Sequence, residues 1–513
     1  MKKILIRTLL VFLLICVLGT LVLSLPFVQT RLAQYATNSI NKEFGTQINI
    51  DRLRVSLISW DTSLKGVYVE DYQKDTLFYI RQLSTSIMSV SNLIDGNLEF
   101  GDIDVDNLIF NMHTYRDTTA SNLEIFIDKL DDGKPRAPGT PPFLFTSSRI
   151  NIKEGNFKLI DDHLEKPKIL DFKNLIIEAP DFMILGPEVT SRIEMLAFDS
   201  NRGIIVEDFK TDFKYTKQQM RFDSLTIKTP ASQLHGNIVF NYDRKDFYDF
   251  LNRVNIDAEF NESTVAFDEI NLLYDQFGKG KEVAFSAKLN GVLNDLNVED
   301  LFLQSDNTGV RGDFNFKNIF SKNGAFFMET NMRNVTTSYY ELRALMPNIL
   351  GKSLPSAFSK MGQFTVRGEA EVGETSVKAK VNINTIIGSS YADLELTNFD
   401  NIDNAQYKGF VSLIDFDLGK FADNARLGLT TLDFNVEGKG FVQKSLNTEV
   451  IGEVYTVDFN DYVYQNLRVS GVLKDQLFDG SLDCNDENLQ FSFKGLADFS
   501  AERNNFNFVA TVD

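Results

Sequence analysis

The sequence predicts a mainly β protein: an N-terminal transmembrane helix, then a long curled antiparallel sheet interrupted by a few short helices. Three observations predict it. Apolar residues recur on alternate positions in one segment after another, the period of a half-buried strand. Sustained helical steps of three and four residues come before residue 45. Phenylalanine is plentiful, 44 residues against one tryptophan, and this strongly apolar side chain favours strands.

The first element is an anchor. Lys2, Lys3 and Arg7 precede an unbroken apolar run, Thr8–Leu25, long enough as a helix to cross about 30 Å of hydrocarbon. Ile4, Leu10, Phe12, Leu14, Leu18, Val22 and Leu25 are its candidate lipid-facing residues. A cleaved signal peptide has a core of only about 7–15 residues and closes on small residues, whereas this run ends Ser24-Leu25-Pro26-Phe27. Ile15 before Cys16 is too large for a lipoprotein site. Basic residues before the run keep the amino terminus cytoplasmic and send the bulk across.

Past the anchor, Val28, Leu32, Tyr35, Ala36, Ile40 and Phe44 recur at helical spacing with polar residues between them, an amphipathic helix ended near Gly45. Residues 26–45 are expected to cap the folded body or to lie on a membrane surface. Residues 46–130 then read as a first β-rich unit. Ile48 and Ile50 alternate with polar residues, as do Val67 and Val69, and Ile103-Asp-Val105-Asp leads into Leu108, Phe110 and Met112. The aspartates Asp102, Asp104 and Asp106 lack the glycine and bidentate glutamate of a calcium loop and read as a strand's solvent face.

Residues 131–146 hold four of eleven prolines and are expected to form a loop. From 147 to 513 the strand pattern resumes, with short helices expected at Asp243–Val254 and from the capping-box spacing Ser338…Glu341. Phe285…Gly291, Phe364…Gly368 and Leu432…Gly438 share an alternating strand that ends on glycine. About 470 residues give on the order of 35–45 strands. Sheets beyond about ten strands curl or split, so an extended curled sheet with one apolar concave face is expected; a row of separate β-sandwiches would show the same alternation.

Composition excludes some functions. A net charge of -19 without a basic patch argues against nucleic acid, which needs clustered Lys and Arg. Cys16 and Cys484 are the only cysteines, so no internal disulfide framework is available. His113, His163 and His235 are isolated in sequence, and no H-E-x-x-H, G-x-S-x-G, Walker A or paired C-x-x-C occurs. No enzyme, cofactor or metal site is expected.

One anchor, the helix Phe27–Phe44, the strand set Ile48–Tyr115 with Ile103-Asp-Val-Asp-Asn-Leu, and the Gly-ended strands through Val469…Asp475 and Phe493…Ser500 together resemble the AsmA-like superfamily, particularly the TamB proteins (translocation and assembly module, inner-membrane subunit). The likeness lies in layout and strand style along nearly the whole chain. It implies a bacterial inner-membrane protein with its bulk in the periplasm and a taco-shaped, β-helix-like groove. It implies transport of phospholipids toward the outer membrane, and assembly or secretion of nascent outer-membrane proteins with an Omp85-type partner. The family's C-terminal domain has no counterpart, and the chain ends in a strand pattern, Phe506–Asp513, so the likeness is to an amino-terminal portion.

An acyl chain needs apolar surface shielded from water, at about 0.8 kcal/mol per buried methylene. The candidate groove liners are Ile103, Val105, Ile150, Ile152, Phe157, Leu159, Val377, Val381, Ile383, Leu394, Leu396, Phe491 and Phe493. Each reads first as strand core, the commoner place for an inward apolar residue. The alternative function is a non-enzymatic scaffold of closed β-domains that holds partners or offers an edge strand.

Overall fold

The structure is a computed structural model that describes residues 18–94, 97–130, 142–163, 168–320, 324–348, 354, 356–398, 405–440, 446–474, 477–498 and 505–512. The anchor residues Ile4, Leu10, Phe12 and Leu14 lie outside them. Residues 18–23 are helical. Among the described residues no helix is long and apolar enough to cross a membrane.

Among the described residues twenty-seven strands form one sheet, and the chain divides into two units, Met1–Arg244 and Lys245–Asp513. Helix α1 (Pro26–Phe44) opens the first, followed by strands β1 (Gln47–Val55), β2 (Asp61–Glu70) and β3 (Thr76–Ser86). Short helix α2 (Val90–Ile94), β4 (Leu98–Thr114), α3 (Asn122–Leu130), β5 (Leu144–Asp161) and β6 (Lys168–Leu185) come next. The unit continues with β7 (Glu188–Ile193), β8 (Met195–Ser200), β9 (Ile205–Val206), β10 (Asp208–Tyr215), β11 (Gln219–Lys228) and β12 (Gln233–Asn241).

The second unit begins with α4 (Phe250–Arg253), β13 (Asn255–Ala266), α5 (Phe267–Ile270), β14 (Glu282–Val292), β15 (Asp295–Ser305), β16 (Thr308–Lys317) and β17 (Phe327–Ser338). It goes on through α6 (Tyr339–Leu345), β18 (Gln363–Gly373), β19 (Ser376–Thr385), β20 (Gly388–Thr397), β21 (Gln406–Asp417), α7 (Leu418–Ala422) and β22 (Leu427–Lys439). Strands β23 (Asn447–Phe459), β24 (Tyr462–Lys474), β25 (Leu477–Asn485), β26 (Gln490–Asp498) and β27 (Asn505–Val512) complete it. From β13 to β27 each strand pairs antiparallel with the next.

Several expectations are corrected. The strands are fewer and longer than the pattern predicts, up to 18 residues in β5 and β6, because the chain bends within a strand instead of stopping. One described pair, β4 with β5, is parallel; α3 lies in the crossover that a parallel pair needs. The expected loop at 131–146 gives up Leu144–Thr146 to β5, and 131–141 lie outside the described residues. The expected helix at Asp243–Val254 is a 3-10 stretch, Arg244–Asp249, running into α4. Gly368 does not end its strand but sits in the middle of β18. The helix expected from Ser338 is α6, whose cap accepts from the Glu341 amide at 3.2 Å.

Bends arise where the side-chain alternation slips by one. Asn107, Glu154, Asn174 and Ser224 in the first unit, and Glu262, Asp300 and Asp415 in the second, have left-handed φ between 46° and 57°. Each lies at or beside a register shift or an unpaired step of the ladder. Such a bulge turns the strand while keeping its apolar residues on one face. The amide freed at the bulge finds a side chain on the next strand: Ser224 N donates to Asn237 Oδ1 at 2.8 Å, Asp300 N to Asp313 Oδ1 at 2.9 Å, and Asp415 N to Thr431 Oγ1 at 3.1 Å. Arg333, the extra residue in β17, bonds both Asp300 and Asp313 at 2.9 and 2.7 Å, and this holds the Asp300 carboxyl below its ordinary range.

The sheet's first edge is closed by a helix in an unusual way. Gln29 donates to the Val55 carbonyl and accepts from its amide, both at 2.8 Å. Asn41 does the same with Ile48, both at 2.8 Å, and the Thr30 hydroxyl with Leu53 at 3.2 Å. Three side chains of α1 thus stand in for a neighbouring strand, covering the groups that make a bare edge sticky.

Candidate functional site

The candidate site is the apolar face of the sheet, most continuous in the second unit. Opposed residues form rows that cross strand after strand. The outermost row runs Phe316, Met328, Val372, Val377, Leu396, Tyr407, Gly438, Thr448, Leu473, Phe478, Ala497. A second, from Phe314 through Thr330, Ala370, Ala379, Leu394, Gly409, Val436 and Val450 to Gly471, lies two residues in. Val381 and Phe493 belong to a third, with Val411, Phe434, Val469 and Leu482.

These rows are not equally covered. At one end the short helices close over the sheet: Leu342 of α6, Phe358, and Leu418 and Phe421 of α7 pack on Phe364, Ile387, Met361 and Phe416. Phe267 with Ile270 of α5, and Leu345 of α6, do the same around Val283. Away from the helices, Phe316, Met328, Val372, Val377, Leu396 and Leu473 are half-buried, neither sealed nor bare.

All thirteen residues singled out from the sequence lie within strands, and the structure divides them by unit. In the first, Ile103 faces Ile150, Val105 faces Ile152, Phe110 faces Phe157 and Met112 faces Leu159 across β4 and β5. Phe157 stacks on Phe172 at 5.8 Å between ring centres, and Phe172 meets Phe198 edge-on at 4.9 Å. Ile103 and Val105 are buried. In the second, Val377, Leu394 and Leu396 are on the open part of the face, Ile383 packs against the closed cluster, and Val381 and Phe493 are buried. Phe491 pairs with Cys484, which sits buried in the same face, its thiol pushed up by desolvation.

The opposite face is charged in an orderly way. Glu371, Lys378, Glu395, Lys408 and Glu437 stand directly opposite one another on five successive strands, signs alternating, and Lys408 Nζ lies 2.8 Å from Glu437. Opposed unlike charges favour this register over one that would set like charges side by side. A cleft of about 410 Å³ opens among these residues, lined by Asp313, Asn331, Glu369, Lys380 and Asp393 with parts of Phe314 and Ala370. It is bounded by these charged side chains and by Phe314, Thr330, Ala370 and Ala379 of the second row.

Glycines recur in the rows. Gly368 and Gly409 have φ of 137° and 144°, which only glycine adopts readily, and a Cβ at either would overlap the neighbouring strand's backbone. The close approach lets the strands coil without thickening the apolar face.

No protein-family model matches the chain, and neither a curated protein nor a solved structure matches it significantly.

The remaining polar clusters have structural partners. Asn122, 1% exposed, donates to Asp71 and to the Asn111 carbonyl at 2.9 and 3.0 Å and accepts from the His113 amide at 2.9 Å. Tyr115 donates to Asp71 and Asp75 at 2.7 and 2.8 Å, and burial together with these carboxylates drives its hydroxyl far above the usual phenol range. The network fastens α3 to the sheet. His113 meets Asp162 at 2.8 Å, His163 meets Asp161 at 2.9 Å, and His235 meets Thr226 at 3.3 Å. Among the described residues no three His, Cys, Asp or Glu side chains are grouped as a metal would require.

Asp486 ties the β25–β26 turn to β24. It accepts from the Tyr462 hydroxyl at 2.6 Å, the Asn488 amide at 2.9 Å and the Gln465 amide at 3.0 Å, and these donors hold its carboxyl below the ordinary range. Its contribution is therefore complete above the unfolded value of about 4 and is lost as pH falls through the lower folded value. Asp486→Asn should flatten the acid branch of the melting temperature while costing stability at neutral pH. An acid branch as steep as the parent's would show that the carboxyl contributes nothing.

Proposed function

We propose that the apolar face of the sheet is a track for phospholipid acyl chains, on a chain tethered to a bilayer by residues 8–25. The reading is that of a TamB-type inner-membrane protein with its sheet in the periplasm, moving phospholipid toward the outer membrane and supporting assembly of outer-membrane proteins with an Omp85-type partner.

The observation that carries it is the outermost row of the second unit. Leu396, Val377, Val372, Met328 and Phe316 are continuous across neighbouring strands and only half-buried. At about 4.8 Å per strand, successive positions are close enough for an acyl chain to touch several at once. Each methylene withdrawn from water contributes about 0.8 kcal/mol, and the rows are similar from strand to strand, so a chain can shift along them without passing a deep well. No reacting group is required.

The test is photo-crosslinking in cells. A photoreactive residue replaces Phe316, Val377, Leu396 or Leu473 in turn, with the exposed Lys317, Lys378, Glu395 and Lys474 as controls on the charged face. Phospholipid adducts on the apolar set alone support the track. Absence of lipid from all four, in a folded and anchored protein, would sink it and leave a scaffold of closed β-domains.

A further inference from the structure

Helix α1 turns its polar side to the sheet and its greasy side away. Gln29, Thr30 and Asn41 are committed to β1, and Gln29 and Thr37 are buried. At 100° per residue the opposite side carries Phe27, Arg31 and Tyr35 at four-residue steps, with Leu32 and Lys42 beside them and the exposed Asn38, Ser39 and Glu43 on or next to the same arc. Phe27 is 70% exposed, Tyr35 78% and Leu32 53%. The Arg31 guanidinium lies 5.3 Å from the Phe27 ring centre. This inverts the ordinary surface helix, whose apolar stripe faces the core.

We propose that this outer side of α1, Phe27, Arg31, Leu32, Tyr35 and Lys42, lies in the headgroup region of an anionic bilayer. Three features select that occupant. The stripe continues directly from Leu21, Val22, Leu23 and Leu25, which are themselves exposed and belong to the apolar run Thr8–Leu25. Leu25 is extended, with ψ of 123°, and Pro26 starts the new helix, so the chain breaks where it would leave the bilayer core. The side also mixes aromatic rings with basic residues, in a chain of net charge -19. Rings that sit at the headgroup level and long cationic side chains that reach phosphate are what the interface favours.

The inference rests on residues 8–25 being the anchor and is independent of the lipid track. It is tested on the full chain in vesicles of equal phosphatidylcholine and phosphatidylglycerol, with brominated phosphatidylcholine as quencher. Tyr35→Trp reports on α1 and Val22→Trp on the anchor, against the baseline of the parent's single Trp60. Tyr35 is on the exposed side, and circular dichroism checks that each variant keeps its strands.

Quenching at both positions, strongest at residue 35 with bromines near the headgroup, is the expected result. Arg31→Gln and Lys42→Gln should each lower the docked fraction at residue 35 about fivefold, on anionic vesicles only. Quenching at residue 22 without quenching at 35 overturns the proposal and leaves the anchor standing. If neither is quenched, the anchor reading fails and the proposal falls with it.

Discussion

Gly409→Val should destabilise the second unit by about 3 kcal/mol or more. The residue lies in the second apolar row, opposite Leu394 and Val436, at a φ of 144°. A side chain there meets two obstacles: the conformation is nearly closed to any residue with a Cβ, and that Cβ would overlap the Asp393 carbonyl oxygen. The neighbouring strand would have to move, breaking the ladder on both sides. Gly280→Ala is the control, since Gly280 also has positive φ, 67°, but open space around it; it should cost only about 1–2 kcal/mol. Urea midpoints on the full chain decide the matter. Equal, small shifts for the two variants would mean that the close approach of strands at Gly409 is unimportant.

The double variant Gln29→Leu, Asn41→Leu should open the first edge of the sheet. It removes two reciprocal pairs and strips the partners from the amides and carbonyls of Ile48 and Val55. Water replaces part of what is lost, so the loss is about 1 kcal/mol per bond. The larger effect is on behaviour in solution: a bare, extended edge pairs with another copy of itself. Amide exchange at Ile48 and Val55 should accelerate, and sedimentation should become concentration-dependent. A monomeric variant with unchanged exchange would show that packing against α1, not its side-chain bonds, guards the edge.

The fold class was legible because alternation is a direct imprint of a half-buried sheet. Val377-Lys-Ala-Lys-Val381-Asn-Ile383 spells out β19 almost residue for residue. The bends were legible too, though only in a slip of parity: Ile103 and Val105 are odd-numbered, Leu108, Phe110 and Met112 even, and Asn107 sits at the change. Ile150 and Ile152 give way to Phe157 and Leu159 across Glu154 in the same manner. Counting strands by length without that slip splits one bent strand into two, which is why more were expected than are found.

Other features depend on partners distant in sequence. Helix α3 carries a capping box, Ser121 with Glu124, but it is too short to show a period. What fixes it is Asn122 reaching Asp71, 51 residues away. The parallel pairing of β4 with β5 leaves no local trace. Helix α1 was readable as amphipathic, yet its spacing alone could not say which side meets the sheet; Gln29 and Asn41 decide that, through groups that hydropathy counts as surface. For the apolar rows, the sequence identifies the greasy positions and is silent on coverage, because the helices that close one end are inserted between strands far apart in the chain.

The pairing of β13 to β27 in strict order has a consequence for how such a protein comes into being. Every strand finds its template in the one made just before it, so ring closure is short at each step of the ladder and no early strand waits for a late one. A chain made amino end first can set each hairpin on the growing edge as it emerges from the ribosome. Interactions between nearest neighbours also make the assembly nearly one-dimensional, so a defect in one hairpin is felt by its neighbours and little beyond. Reach can then be lengthened or shortened by whole hairpins, with the existing ones left as they are.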